Sequence, residues 1–203
     1  MILSLQGSMA AGKTTAAGWI ADHAPHIHVC PEDPGDVIAQ VKRLGLDKSK
    51  FGDYVQIQRL WLHNEIRRWE EAQRYPLSLM DFGAEEIEFY TLHYPRSMGY
   101  DWDVACALAP ELTQIRRCMP QRILFLDAPE AELRRRKEAD PTRSRNFFEH
   151  YVTHLLPLKR AWFFPRENVD VLDVSALSPK ETGAAVLRWA EAQFNRQGGD
   201  HHA

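Results

Sequence analysis

The sequence has no run of apolar residues approaching the 18 or so that a membrane-spanning helix requires, so no transmembrane segment is expected. It lacks a charge excess of either sign. Lys and Arg number 25 against 28 Asp and Glu, a net charge of -3, which excludes a globally basic surface for a nucleic-acid backbone and an acidic, disordered chain alike. Cysteine is scarce. Cys30, Cys106 and Cys118 stand in no metal-ligand spacing, and three cannot all pair within one chain, so a reduced interior is expected. Of the nine histidines, only His150 and His154 lie one helical turn apart, and with no glutamate after His150 and no third ligand they propose no zinc site. The first residues carry no charged stretch before a short apolar run, which does not read as a signal peptide; a cytoplasmic location is expected.

What is present is an α/β pattern. A length of 203 residues suits one domain, read as residues 1–195, with a frayed tail over 196–203. Short apolar runs at residues 1–5, 27–30, 77–80, 122–126 and 169–174 read as strands. Between them, helices are expected over residues 13–23, 36–44, 51–73, 85–93, 103–117, 130–139, 146–163 and 179–194, with Pro110 and Pro157 as kinks or breaks. Residues 94–102 and 140–145 read as loops. About five strands alternating with helices predict a three-layer α/β sandwich, a parallel sheet covered on both faces. In such a sheet ligands bind beyond the carboxyl ends of the strands.

The segment after the first strand is GSMAAGKTT, comprising Gly7, Ser8, Met9, Ala10, Ala11, Gly12, Lys13, Thr14 and Thr15. It fits the P-loop pattern G-x-x-x-x-G-K-[ST], with a strand before it and a helix after it. The glycines let backbone amides turn around a phosphate, Lys13 reaches the β- and γ-phosphate oxygens, and the Thr14 hydroxyl can ligate magnesium. The chain has no Asn-Lys-x-Asp segment of the kind that reads guanine, and no apolar strand ending in two acids as in hydrolytic ATPases. These absences turn the reading toward a small-molecule kinase.

Carboxylates at strand ends supply the remaining chemistry. Asp81 is placed to hold magnesium opposite Thr14. Glu32, with Asp33 close behind it, is the candidate general base for an attacking hydroxyl. Of the consecutive Arg134, Arg135 and Arg136, one is expected to face the phosphates, and Arg143 and Arg145 form a candidate arginine lid. On the long helix, Gln56 and Gln58 could pair with a nucleobase edge, while Trp61 or Phe82 could stack on a ring. Tyr94 and Arg96, in the expected loop, could reach a sugar hydroxyl or phosphate.

With these motifs in place, the chain resembles the P-loop nucleoside and nucleotide kinases, and most closely their deoxynucleoside kinase branch. The Glu32-Asp33-Pro34 stretch matches the family's acid-proline base segment. YVQIQRLWL is similar to its base-reading helix, with Gln58 or Gln56 as the reader, and LFLDAPEAELRR carries its phosphate-contacting arginine onto Arg135. The resemblance also implies lid roles for Arg143 and Arg145. One departure stands out: family members place an arginine directly after the acid that ends the third strand, whereas this chain has Asp81-Phe82-Gly83. The substrate it implies therefore extends beyond standard deoxynucleosides to the acceptors of shikimate, gluconate and antibiotic kinases, which share the architecture.

The expected function is transfer of a phosphoryl group from ATP, with Mg2+, to a hydroxyl of a nucleoside or similar metabolite. The alternative is a nucleotide-binding regulatory or assembly ATPase without a small acceptor. The expected partner is a small molecule, with neither a nucleic-acid polymer nor a membrane, and a homodimer is compatible with this reading.

Overall fold

The structure is a computed structural model that describes residues 1–139 and 147–199. Five parallel strands, β1 (Ile2–Gly7), β2 (His28–Cys30), β3 (Ser78–Asp81), β4 (Arg122–Asp127) and β5 (Val169–Asp173), lie in the order β2-β3-β1-β4-β5. The helices are α1 (Lys13–His23), α2 (Gly35–Leu44), α3 (Phe51–Ala72), α4 (Ala84–Ser97), α5 (Val104–Ala107), α6 (Ala109–Ile115), α7 (Glu130–Ala139), α8 (Phe148–His150), α9 (Leu156–Phe163) and α10 (Pro179–Gly199). The expected parallel α/β sandwich is the observed one: neighbouring parallel strands need a crossover to carry the chain back, and the helices supply it.

All six residues of β1 are buried, although two are polar. Alternation explains it. Leu3 and Leu5 point to one face, while Ser4 and Gln6 point to the other, the face they share with their register partners Met80, Ile123 and Phe125. There they meet α4: the Ser4 hydroxyl and Gln6 Nε2, the latter at 2.7 Å, both donate to the Glu85 carboxylate. Across the sheet, α1 and α10 pack together so closely that a Cβ on Gly183 would come within 2.7 Å of the Trp19 indole.

Three segments turn on a proline: one departs from expectation, and two break where Pro110 and Pro157 were expected to kink or break them. The loop expected from Tyr94 onward is instead the last turn of α4, with Pro95 inside the helix. Proline has no N–H for the carbonyl four residues back, that of Thr91. The buried Tyr54 hydroxyl donates to that carbonyl at 3.1 Å, and to the Tyr90 carbonyl at 3.1 Å, so the helix survives. Residues 103–117 divide into α5, α6 and a 3-10 turn, Arg116–Cys118, with Pro110 opening α6 where its missing N–H costs nothing. Residues 148–163 form α8, a π turn (Tyr151–Leu155) and α9; Pro157 offers no N–H to the preceding turn, which widens. Residues 140–146, including the expected lid, lie outside the described residues.

Candidate active site

The P-loop leaves β1 pressed against β4. Gly7 has φ +142°, and a Cβ there would sit 2.1 Å from the Leu126 carbonyl oxygen, so only glycine fits. The next amide, Ser8 N–H, donates to that same oxygen at 3.1 Å. Ala10 takes φ +63°, a rare conformation for a residue with a Cβ, and Gly12 takes the left-handed form as α1 begins. No side chain caps α1 and no acid occupies its first turn, which leaves the amides of its first turn to an anion. Lys13 lies across the loop, donating to the carbonyls of Gly7 at 3.2 Å and Ser8 at 3.1 Å. The Ser8 hydroxyl turns away and donates to Asp127 Oδ1 at 2.7 Å, while Arg160 clamps Asp127 through Nε at 2.9 Å and Nη2 at 3.0 Å. Ala11 is buried in the core. Asp127 therefore ties the loop to α9.

Gly7, Met9, Ala10, Gly12, Lys13, Thr14 and Thr15 form one wall of a cavity of about 610 Å³. Glu32, Asp81 and Glu86 line the same cavity. Partial desolvation pushes the Glu32 carboxyl above its usual range, and the negative charges of Asp81 and Glu86 push it further; Arg68 and Lys13 oppose them. Glu32 and Asp33 are both exposed by surface area, and Glu32 is the one of the two that lines the cavity. Asp81 is 2% exposed and its Oδ1 has no hydrogen-bond partner. An orphaned buried carboxylate oxygen beside the Thr14 end of a P-loop is a donor set that fits Mg2+, which takes few protein oxygens and completes its shell with phosphate and water. No cluster of three or more His, Cys, Asp or Glu side chains suited to a metal occurs among the described residues.

The opposite wall comes from α3, α4 and the turn between β3 and α4, and is largely aromatic: Tyr54, Ile57, Trp61, Phe82, Ile87, Tyr90 and Tyr94. Gln58 stands among them. The Thr91 hydroxyl donates to Gln58 Oε1 at 2.9 Å, which leaves the Nε2 amide as the group to offer a ligand. Phe82 adopts φ +48°, a rare conformation for so bulky a residue. Beneath its ring, 5.1 Å away, lies the guanidinium of Arg68, whose Nη2 donates to the Cys30 carbonyl at 3.1 Å, with the Asp81 carbonyl at 3.4 Å. Arg68 is in turn paired with buried Glu65 at 2.5 Å. An arginine thus reaches the strand end where Asp81-Phe82-Gly83 lacks one, but it comes from α3. Gln56 and Arg96 are exposed and away from the cavity, Arg96 because its segment is helical.

The arginine expectation requires a correction. Arg135 turns to solvent and is held by Glu132 at 2.8 and 2.7 Å; Arg136 lines the cavity, with Nε donating to the same Glu132 at 2.6 Å and Nη2 to the Val174 carbonyl at 2.5 Å. Arg134 pairs with Glu149. Arg143 and Arg145 lie outside the described residues. Leu133, the buried apolar residue of α7, marks its inward face, and Arg136 stands three positions on, so the sequence did carry the signal. Lys159 and Glu86 were not expected in the site. Their signal was charge on a buried stripe, since Leu155, Leu156 and Phe163 flank Lys159 at helical spacing.

Two solved structures of deoxyadenosine kinase from M. mycoides match this fold. One, with the products dCMP and a flexible dCDP bound, has a TM-score of 0.70 at 13% identity; the other, with dCTP bound, has 0.65 at 12%. Each covers 95% of this chain and 100% of its own. The chain has the P-loop nucleoside kinase fold. No protein-family model matches the sequence, and no curated protein matches it.

Proposed function

We propose that the protein is an ATP- and Mg2+-dependent kinase that phosphorylates a hydroxyl of a nucleoside or close analogue. The observation that supports this most is that one cavity joins a P-loop, with Lys13 and Thr14, to a carboxylate pair, Glu32 and Asp81, and to a chamber walled by aromatic rings around one oriented amide, Gln58. A regulator or assembly ATPase has no use for such a chamber. The bound nucleotides of the M. mycoides structures add to the same reading.

In the reaction, the acceptor hydroxyl oxygen bonds to the γ-phosphorus of ATP, the bond to the β,γ-bridging oxygen breaks, and the hydroxyl proton passes to Glu32. Glu32 suits this task because its raised pKa makes the carboxylate a stronger base. Lys13 and the amides of the loop stabilise charge on the moving phosphoryl group, and Arg136 approaches from α7. Thr14 and Asp81 would hold Mg2+, which supplies charge neutralisation on the phosphates when bound. The aromatic chamber excludes water and stacks the base, with Gln58 Nε2 donating to an acceptor on its edge.

ADP release measured over a panel of nucleosides, sugars and aminoglycosides tests the proposal: a nucleoside should raise it well above background, and background release across the panel would overturn it. Glu32→Gln should cut turnover about 10²- to 10³-fold with little change in ATP affinity, while Asp33→Asn stays near wild type. Because Glu32 must be ionised to act and its pKa is raised, wild-type kcat/KM should fall with decreasing pH through a point above the ordinary glutamate value. That acid limb should be lost in Glu32→Gln.

A further inference from the structure

Lys159 is 1% exposed, yet it forms part of the cavity wall. Its ammonium donates to the Gly7 carbonyl at 3.0 Å and stands 2.5 Å from Glu86 Oε2. The rings of Tyr90, Phe125 and Phe163 lie 5.8 to 5.9 Å from it. The Gly7 carbonyl also accepts from Lys13. Two ammonium groups, one from α1 and one from α9, thus share a single oxygen where the loop leaves β1. A phosphate that draws Lys13 forward removes one of the two donors.

We infer that Lys159 is a second cation of the phosphate site, a positioning residue that keeps the Gly7 carbonyl and holds positive charge behind the loop when Lys13 turns to the phosphate. The inference rests on the phosphate-binding reading above. The groups facing Lys159 are Glu86, Glu85 and Tyr90 on α4 and Lys13 on α1. Burial pushes its ammonium down to about 8, with Lys13 adding to the fall and Glu86 and Glu85 opposing it. The charge is therefore present below about pH 8 and lost above it, which gives the site a pH signature that a purely structural lysine would not confer.

Calorimetric titration of the full chain with ATP and Mg2+ between pH 7 and 9.5 tests this. Wild-type affinity should fall about tenfold as pH rises through the upper part of this range, the scale of one charge-assisted contact. Lys159→Met should bind about tenfold more weakly at pH 7 and show no such fall. Glu86→Gln, which withdraws a charge that props the ammonium up, should move the fall to lower pH. Burial also raises the Glu65 carboxyl, against the pull of its partner Arg68, so Glu65→Gln is the control that should keep the fall in place. If wild type binds ATP with an affinity flat in pH, or if Glu86→Gln leaves the fall where it was, the inference is wrong, whether or not Lys159→Met folds. If wild type binds no ATP at all, the phosphate-site reading itself fails, and this inference with it.

Discussion

The two halves of the cavity, the proposed donor and acceptor sides, are built by different means. On the donor side, residues 7–15 are contiguous, and the groups they present are mostly backbone: amides of the loop and of the first turn of α1, shaped by Gly7, Ala10 and Gly12. On the acceptor side, the groups are side chains brought together from separate elements. Thr91 of α4 orients Gln58 of α3, Tyr54 of α3 repairs α4 at Pro95, and Arg68 of α3 spans the ends of β2 and β3. A backbone cradle tolerates change in most of its side chains, because its donors belong to every residue. A constellation of side chains depends on each member's rotamer and partner, so it can be re-specified by single substitutions.

The hardest test of the contrast is its exception, the P-loop side chain whose charge is proposed to reach the phosphate. Lys13→Ala should lower turnover by about 10³-fold or more while the thermal midpoint stays near wild type, because among the described residues the hydrogen bonds of Lys13 go to loop carbonyls. ADP release and a circular-dichroism melt measure the two effects. Equal turnover in the variant would remove the loop from the chemistry altogether.

This difference also decides how much was legible in the sequence. The strands and most helices follow from short apolar runs and helical spacing, and the P-loop from its pattern, because both are local. Pro95 misled because the hydroxyl that rescues its helix belongs to another helix. Arg135 and Arg136 are neighbours in sequence but point in different directions, and only the burial of Leu133 separates them. On α3 the buried stripe runs Tyr54, Ile57, Leu62, Glu65, Arg68, Ala72, so a charged pair occupies positions an apolar reading assigns to core. Charge at a stripe position was the overlooked signal there, as it was at Lys159.

Arg68 gives the next largest effect, and it should divide the two halves. Arg68→Met leaves Glu65, 1% exposed, without its partner, which should cost about 3 to 5 kcal/mol of stability in urea unfolding. The double variant Glu65→Met with Arg68→Met should recover most of that loss, since it removes both buried charges. At temperatures where the single variant stays folded, the KM for the acceptor should rise while ATP affinity holds, because the carbonyls Arg68 ties together present Glu32, Asp81 and Phe82 rather than the loop. A matching loss of ATP affinity would mean that the halves are mechanically one.

The smallest effect is the most specific to the acceptor half. Thr91 is fully buried and its hydroxyl donates to Gln58 Oε1, fixing which end of the amide faces the chamber. Thr91→Val removes the donor and keeps the branched shape, so the amide can turn over and offer either end. The price of the lost hydrogen bond is about 1 kcal/mol. Discrimination among nucleosides that differ in donor or acceptor at the base edge should therefore narrow by about three- to tenfold, with ATP KM unchanged. Competition between paired nucleosides for a limiting amount of ATP reads this ratio directly. If Thr91→Val preserves the wild-type ranking and ratios, Gln58 is not held by Thr91 in the working enzyme, and acceptor choice must come from the aromatic walls alone.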